Sequence, residues 1–107
     1  MRYQIRALCI HKEYEAAPFT IEASLDEQGY INRKGLLGWY EDVDGRWAIE
    51  MIEENGTIIF NDGSEWESNL LKKPIRETET FSVGENLDGQ LLDDYWIYRV
   101  IKMTPCD

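Results

Sequence analysis

The stretch from Arg46 to Phe60, RWAIEMIEENGTIIF, predicts a β-hairpin in the middle of the chain. Asn55-Gly56 favours the positive φ angles of a type I′ turn, and runs of apolar residues flank it on both sides. The runs Arg46 to Ile52 and Thr57 to Phe60 are therefore predicted to be paired strands. A two-residue loop sets the register, with Ile52 opposite Ile59.

This register divides the side chains of the hairpin between two faces. The predicted core face carries Trp47, Ile49, Met51, Ile58 and Phe60, and the predicted outer face carries Glu50, Ile52, Glu54, Thr57, Ile59 and Asn61. Ile52 and Ile59 then lie side by side among carboxylates. Either further structure covers them, or they form an apolar anchor inside an acidic rim, which is the layout of a protein-binding surface.

Alternation of apolar and polar residues recurs along the chain and indicates strands. It is clearest from Phe19 to Leu25. Tyr3 to Ile10 and Tyr95 to Met103 are apolar on both faces, and Pro74 to Val83 is a further extended segment. Turn sequences rich in Asp, Asn and Gly separate the runs, at 26–29, 42–45, 61–63 and 88–89. The sequence predicts one domain over residues 1–107, mainly β: a single antiparallel sheet of about seven or eight strands in a small barrel or sandwich.

One segment, SEWESNLLKKP from Ser64 to Pro74, breaks this pattern. Ser64 and Glu67 have the spacing of a helix capping box, acids precede bases, and Pro74 follows as a stop signal. We predict a short helix at residues 65–72. The alternative interpretation is a polar strand followed by a loop.

The net charge of the chain is −10, and all of the excess lies in its middle. Residues 41–94 contain fifteen acids and four bases, whereas residues 1–40 contain five of each. Negative charge disfavours binding to nucleic acid or to an anionic membrane and favours a basic protein partner. We expect the carboxylates of residues 41–94 to form one negative surface. Solubility is the alternative explanation for the charge.

The residue patterns predict no catalytic, metal or cofactor site. His11 is the single histidine, and Cys9, His11 and Cys106 lack the spacing and the fourth ligand of a zinc site. Asp42-Val43-Asp44-Gly45 matches only a fragment of a calcium loop and is better explained as a turn. No apolar run near the start has the length of a signal peptide, so we expect a cytoplasmic protein with reduced thiols. We expect that it is not an enzyme.

Four tryptophans and six tyrosines make the chain rich in aromatic residues. Most fall on alternating strand faces and are expected in the core. Trp39-Tyr40, beside Glu41 and Asp42, is expected to remain partly exposed. Exposed aromatic residues serve as interface anchors, and aromatic residues also line small-ligand pockets where strands close into a barrel.

Three functions fit this profile. The first is a non-enzymatic acidic inhibitor or immunity-type protein that masks the nucleic-acid-binding surface of a basic partner, with its carboxylates in place of phosphates. The second is a structural or regulatory subunit that assembles through a strand edge, and the third is a small-ligand-binding β-barrel. For the first function, the predicted partner-binding residues are Glu41, Asp42, Asp44, Glu50, Ile52, Glu54, Ile59, Asp62, Glu65 and Glu67.

Overall fold

The computed structural model describes residues 1–10, 18–42, 44–85 and 95–106, and their strands form a closed barrel. Eight antiparallel strands follow one another around the barrel in chain order, and the last pairs with the first. The mainly β, antiparallel prediction is confirmed, with a barrel rather than a sandwich. The strands are β1 (Arg2–Cys9), β2 (Pro18–Leu25), β3 (Ile31–Asp42), β4 (Gly45–Ile52), β5 (Ile58–Phe60), β6 (Glu65–Ser68), β7 (Thr80–Glu85) and β8 (Tyr95–Cys106).

The antiparallel order gives the barrel two distinct ends. The β3–β4 and β5–β6 turns lie at one end, which we call the upper end, and the β2–β3 and β4–β5 turns lie at the lower end. Cys9 ends β1 at the upper end, whereas Cys106 ends β8 at the lower end. The two thiols therefore lie on neighbouring strands but far apart, and they form no disulfide with each other.

Side chains from alternate strand positions fill the interior of the barrel. On β2, Phe19, Ile21 and Ala23 are buried, as the alternation predicts. The Phe19 ring packs edge to face on Phe81 and Tyr98, with ring centres 6.0 and 5.5 Å apart. Burial of a large apolar side chain stabilises the fold by roughly 1.5–3 kcal/mol, so this interior supplies much of the free energy that closes the sheet.

The predicted helix at residues 65–72 is wrong. Glu65–Ser68 forms β6, which pairs with β5 and β7, and the helical geometry is limited to a 3-10 turn at Leu70–Lys72. Trp66 packs edge to face on Phe60 with ring centres 4.9 Å apart. A helix of so few residues is marginal in water, whereas a strand at this place pairs with both neighbours and completes the barrel. The polar strand followed by a loop is the correct alternative.

The predicted β4–β5 hairpin is present, but its register differs from the prediction. The Glu53 amide donates to the Thr57 carbonyl at 2.8 Å, so three residues form the loop, and Gly56, the last of them, has a φ of +99°. The same arrangement joins β2 to β3 through Gly29 and β5 to β6 through Gly63. The hairpin therefore uses a three-residue loop that ends in a left-handed glycine, not a two-residue type I′ turn.

A β-bulge in β4 exchanges the faces of two predicted residues. The pairing with β5 shifts between Ile49 and Met51, so Glu50 is an extra residue on β4. Met51, predicted in the core, is 47% exposed, and Ile52, predicted on the outer face, is 3% exposed. The predicted apolar pair of Ile52 and Ile59 on the outside is therefore wrong, because Ile52 belongs to the core.

β3 is the strand that the alternation does not predict. Its pairing with β2 is interrupted between Asn32 and Leu37, and Gly35 inside that interruption has a φ of +75°. The rest of β3 pairs with β4 through the predicted turn, where Asp42 lies opposite Gly45. The predicted turns at 26–29 and 61–63 are also confirmed by their hydrogen bonds, whereas the turn at 88–89 lies outside the described residues.

The extended segment predicted from Pro74 to Val83 becomes a strand only at Thr80, where β7 begins. Residues 74–79 form an irregular connection along β8: the Thr78 amide donates to the Val100 carbonyl at 2.8 Å, and the Val100 amide donates to the Glu79 carbonyl at 2.9 Å.

Candidate binding surfaces

The outer side of β4, β5 and β6 carries an apolar centre flanked by carboxylates. Met51, Ile59 and Glu65 are successive register partners across the three strands, so they form one row. Glu50 and Glu67 stand beside this row, and both are exposed. We call these five residues the β4–β6 face.

The predicted partner-binding residues are only partly brought together. Ile52 lies inside the barrel. Met51 is the residue that lies beside Ile59, at the place predicted for Ile52. The others form three groups: Glu50, Ile59, Glu65 and Glu67 on the β4–β6 face; Glu54 in the lower β4–β5 turn; and Glu41, Asp42, Asp44 and Asp62 at the upper ends of strands and turns.

Glu41 is engaged by its own neighbours on β3 and β4. Its Oε1 lies 2.7 Å from the guanidinium of Arg46 and accepts a hydrogen bond of 2.9 Å from the Trp39 indole. The guanidinium also lies 4.9 Å from the centre of the Trp39 ring. An exposed ion pair stabilises a protein by at most about 1 kcal/mol, but it neutralises Glu41 and leaves this carboxylate less available to a partner.

The bases of β1 and β8 and the acids of β4, β5 and β6 lie on different sides of the barrel. β1 and β8 are neighbours and carry four bases and no acid: Arg2, Arg6, Arg99 and Lys102. Residues 45–68, which form β4, β5, β6 and their turns, carry one base, Arg46, and six acids: Glu50, Glu53, Glu54, Asp62, Glu65 and Glu67. In a ring of eight strands, β5 lies on the side opposite β1, so the two groups of charge face away from each other.

Two of the acids that follow in sequence, Glu77 and Glu79, do not extend this negative side. Glu77 and Glu79 lie in the β6–β7 connection, where the Met103 amide donates to Glu77 Oε1 at 3.2 Å and Lys73 Nζ lies 4.0 Å from Glu79. They therefore stand beside β8 and a lysine. Residues 86–94, with three aspartates, lie outside the described residues. Among the described residues, the acids of the expected negative surface are thus concentrated on β4, β5, β6 and their turns.

An aromatic cavity of about 250 Å³ opens at the upper end of the barrel. The carboxylate of Asp62 and the hydroxyl of Ser64 line it as well. Its aromatic walls, which we call the aromatic mouth, come one from each of β3, β4, β5 and β6: Tyr40, Trp47, Phe60 and Trp66. The aromatic-rich sequence predicts an aromatic-lined pocket only in general terms. The sequence signal for this cavity is an aromatic residue on each side of the two upper turns. Tyr40 and Trp47 flank the β3–β4 turn, and Phe60 and Trp66 flank the β5–β6 turn.

Contacts between the rings hold the aromatic mouth in a fixed arrangement. Trp66 packs edge to face on Tyr40 and Phe60, with ring centres 5.0 and 4.9 Å away, and stacks on Trp96 at 6.1 Å. Tyr40 lies 6.2 Å from Trp47 with an angle of 34° between the rings. Such pairs stabilise by about 0.5–1.5 kcal/mol each beyond the area they bury, so the walls are preorganised.

The turn that contains Asp62 stabilises its carboxylate. Ser64 donates to Asp62 Oδ1 through its hydroxyl at 2.6 Å and through its amide at 2.9 Å. These bonds from Ser64 lower the pKa of Asp62 below its ordinary value of 3.8, and a bond from the Trp47 side chain lowers the pKa further. The cavity therefore has a full negative charge beside it at neutral pH.

A wider cleft of about 590 Å³ lies at the lower end, beside the β2–β3 turn. Asp26, Glu27 and Glu77 line it together with Arg76. Because charges of both signs line this cleft, it selects no single class of charged ligand.

The chain matches no family model, no curated protein and no solved structure at a significant level. In the part of the chain that the structure describes, no group of three or more His, Cys, Asp or Glu residues is placed to hold a metal ion. His11, the one histidine available to join Cys9 and Cys106 in a metal site, lies outside that part. None of the described helical residues forms a helix with the length and hydropathy that a membrane span needs.

Proposed function

We propose that the chain is a non-enzymatic binding protein that masks a basic surface of a partner protein, as an inhibitor or immunity-type protein does. The observation that supports this proposal is the separation of charge around the barrel. Six acids and one base lie on β4, β5, β6 and their turns, and four bases lie on the strands of the other side.

A separated field of this kind acts before contact. It orients the molecule so that its negative side meets a cationic surface, and it raises the association rate more than the final affinity. Carboxylates also accept paired hydrogen bonds from arginine, which is the residue that nucleic-acid-binding surfaces use for phosphate. The negative side therefore offers such a surface a substitute for the phosphates it binds.

The apolar row supplies what charge alone lacks. Met51 is 47% exposed, and Ile59 is half-buried beside it. An apolar centre of this kind loses its water when a partner covers it, and the surrounding carboxylates stay at the more hydrated rim. Methionine also adapts its shape to the opposing surface. Contact through the β4–β6 face accordingly combines an anchor with a charged rim.

Barrel closure disfavours the alternative of a subunit that assembles through a strand edge. That function needs a strand with unpaired backbone groups, and in the closed barrel each strand has a neighbour on both sides. The alternative of a small-ligand-binding barrel rests on a different feature, the aromatic mouth.

The test is capture of partners from a lysate at low and at high salt with two variants of equal charge. The face variant combines Glu50→Gln, Glu65→Gln and Glu67→Gln, whereas the control variant combines Glu27→Gln, Glu77→Gln and Glu79→Gln away from the β4–β6 face. We expect a basic protein that binds the unmodified chain and the control at low salt but is lost with the face variant and at high salt.

Two results would contradict the proposal. One is a captured partner without a basic surface, and the other is a partner that the face variant and the control retain equally. The second result with a basic partner would place the contact on another part of the barrel.

A further inference from the structure

We propose that the aromatic mouth is a binding site for an organic ammonium group. This site lies at the upper end of the barrel and not on the outer side of β4–β6, so it does not depend on the proposed function. The ligand class follows from three features of the cavity: its aromatic walls, its fixed carboxylate and its size.

The walls favour a cation because the face of an aromatic ring is electronegative. Aromatic residues from four neighbouring strands line the cavity, so a ligand in it contacts more than one ring. A cation within about 6 Å of such a ring is attracted to it, most strongly by tryptophan. Two of the four walls are tryptophans.

The carboxylate of Asp62 decides between a cationic and a neutral ligand. Its Oδ1 accepts two hydrogen bonds from Ser64, which fix it beside the cavity. A neutral apolar ligand would remove water from this charge without replacing the lost interaction, and an anion would be repelled. An alkylammonium group can form an ion pair with the carboxylate and cation–π contacts with the aromatic rings at the same time.

The size of the cavity limits the ligand to a small group. About 250 Å³ lies below the range of roughly 300–1,000 Å³ that is typical of sites for drug-sized molecules. A trimethylammonium head group is compact, and it carries its charge under a shell of methyl groups that suits an aromatic wall. The group can belong to a free small molecule or to a methylated lysine side chain.

The experiment titrates the full chain with choline and with its neutral isostere 3,3-dimethylbutan-1-ol, and follows the indole N–H signals of the tryptophans by NMR. We expect choline to shift the Trp47 and Trp66 signals. We expect the isostere to bind at least about tenfold more weakly, because tenfold corresponds to 1.4 kcal/mol, the order of one cation–π contact. Equal affinities would overturn the proposal, and so would the absence of shifts with every ammonium probe.

A second arm uses a short peptide with trimethyllysine and the same peptide with unmodified lysine. Tighter binding of the trimethylated peptide than of choline indicates that the natural group is carried by a protein, and the reverse order indicates a free small molecule. If both peptides and choline fail to shift the signals, the proposal is wrong.

Variants distinguish the contribution of the Asp62 charge to binding from that of the aromatic walls. Asp62→Asn keeps the size of an exposed side chain, and we expect it to weaken choline binding about tenfold while leaving the isostere unaffected. Trp47→Leu should weaken both. The control Glu27→Gln, in the β2–β3 turn, removes the same charge at the lower end and should change neither. If Trp47→Leu does not fold, Asp62→Asn still decides: unchanged choline affinity would overturn the proposal.

Discussion

Among single residues, Gly56 carries two constraints that Gly63 shares only in part. Both end three-residue loops with positive φ, at +99° and +89°. A Cβ on Gly56 would press on the Ser68 carbonyl oxygen of β6, whereas a Cβ on Gly63 would meet nothing within 4 Å. Gly63 is therefore a matched control for the backbone conformation of Gly56.

We predict that Gly63→Ala lowers the free energy of unfolding by about 1–2 kcal/mol, the usual cost of a left-handed conformation for an L-residue. Gly56→Ala should lower it by at least about 1 kcal/mol more, because the loop must move away from β6. Chemical denaturation of both variants gives the comparison. Equal losses would contradict the close approach of the β4–β5 loop to β6.

Thr20 on β2 is buried with a hydroxyl that has no hydrogen-bond partner among the described residues. A buried unpaired polar group costs about 1–3 kcal/mol, and its replacement by an apolar group of the same shape removes that cost. We predict that Thr20→Val raises the free energy of unfolding by about 1 kcal/mol. Thr20→Ser keeps the hydroxyl, loses a methyl group and should lower it by about 1 kcal/mol. A destabilised Thr20→Val would show that the hydroxyl is paired.

At the scale of the element, the bulge in β4 decides which of two adjacent residues belongs to the core. We predict that Ile52→Ala lowers the free energy of unfolding by about 2–5 kcal/mol, because it leaves a cavity in the barrel. Met51→Ala should change it by no more than about 0.5 kcal/mol, because Met51 is largely at the surface. Thermal or chemical unfolding distinguishes them. A larger loss of stability with Met51→Ala than with Ile52→Ala would mean that Met51 is the core residue and that the register with a two-residue loop is correct.

Most strands are predictable from the sequence because one residue in two enters the core. Phe19, Ile21 and Ala23 on β2 carry this period without interruption, and that strand was predicted to within one residue. β3 was not predicted, because Gly35 and its neighbours leave the ladder and break the period. Alternation is a reliable signal only where the pairing itself is regular.

The wrong helix at residues 65–72 and the wrong register of the β4–β5 hairpin have a common cause. Each was predicted from a local sequence pattern, without the segments that pair with it or pack against it. Glu65–Ser68 alternates exposed and half-buried side chains, but the capping pattern from Ser64 favoured a helix. Asn55-Gly56 fits a two-residue loop, yet the chain places one more residue in the loop and compensates with the bulge. Pairing with β7 in the first case and packing of Ile52 in the second decide the outcome, and neither is visible locally.

For the candidate sites, the sequence predicts where the charged residues lie along the chain but not which residues of different strands come together in space. Glu50, Ile59, Glu65 and Glu67 were predicted and do share one face. Alternation along adjacent strands aligns Ile59, Glu65 and Glu67, and the bulge in β4 leaves Glu50 exposed beside Met51. Met51 was missed because its place depends on the bulge. The aromatic mouth was missed because it joins residues of four strands at one end of the barrel.

At the scale of the whole molecule, barrel closure converts an order along the chain into a separation in space. The strands follow one another around the ring in sequence order, so the middle of the chain necessarily lies opposite its two ends. An acidic middle between ends that carry no negative excess, with the bases of β1 and β8 on the opposite side, then gives a molecule with an electric dipole. The same charges in a two-layer sandwich could lie on neighbouring strands and compensate one another.

This dipole can be measured without any partner by anion-exchange chromatography of the two triple variants. Both lose three negative charges, so a molecule with evenly spread charge would give them equal elution. We predict that the variant with Glu50→Gln, Glu65→Gln and Glu67→Gln elutes at lower salt than the variant with Glu27→Gln, Glu77→Gln and Glu79→Gln. The resin binds the molecule through its most negative side, and the first set lies on that side, whereas Glu79 already lies beside Lys73. Equal elution, with both variants folded, would mean that the acids of residues 45–68 do not act as one field, and the proposed binding of a basic partner would lose its support.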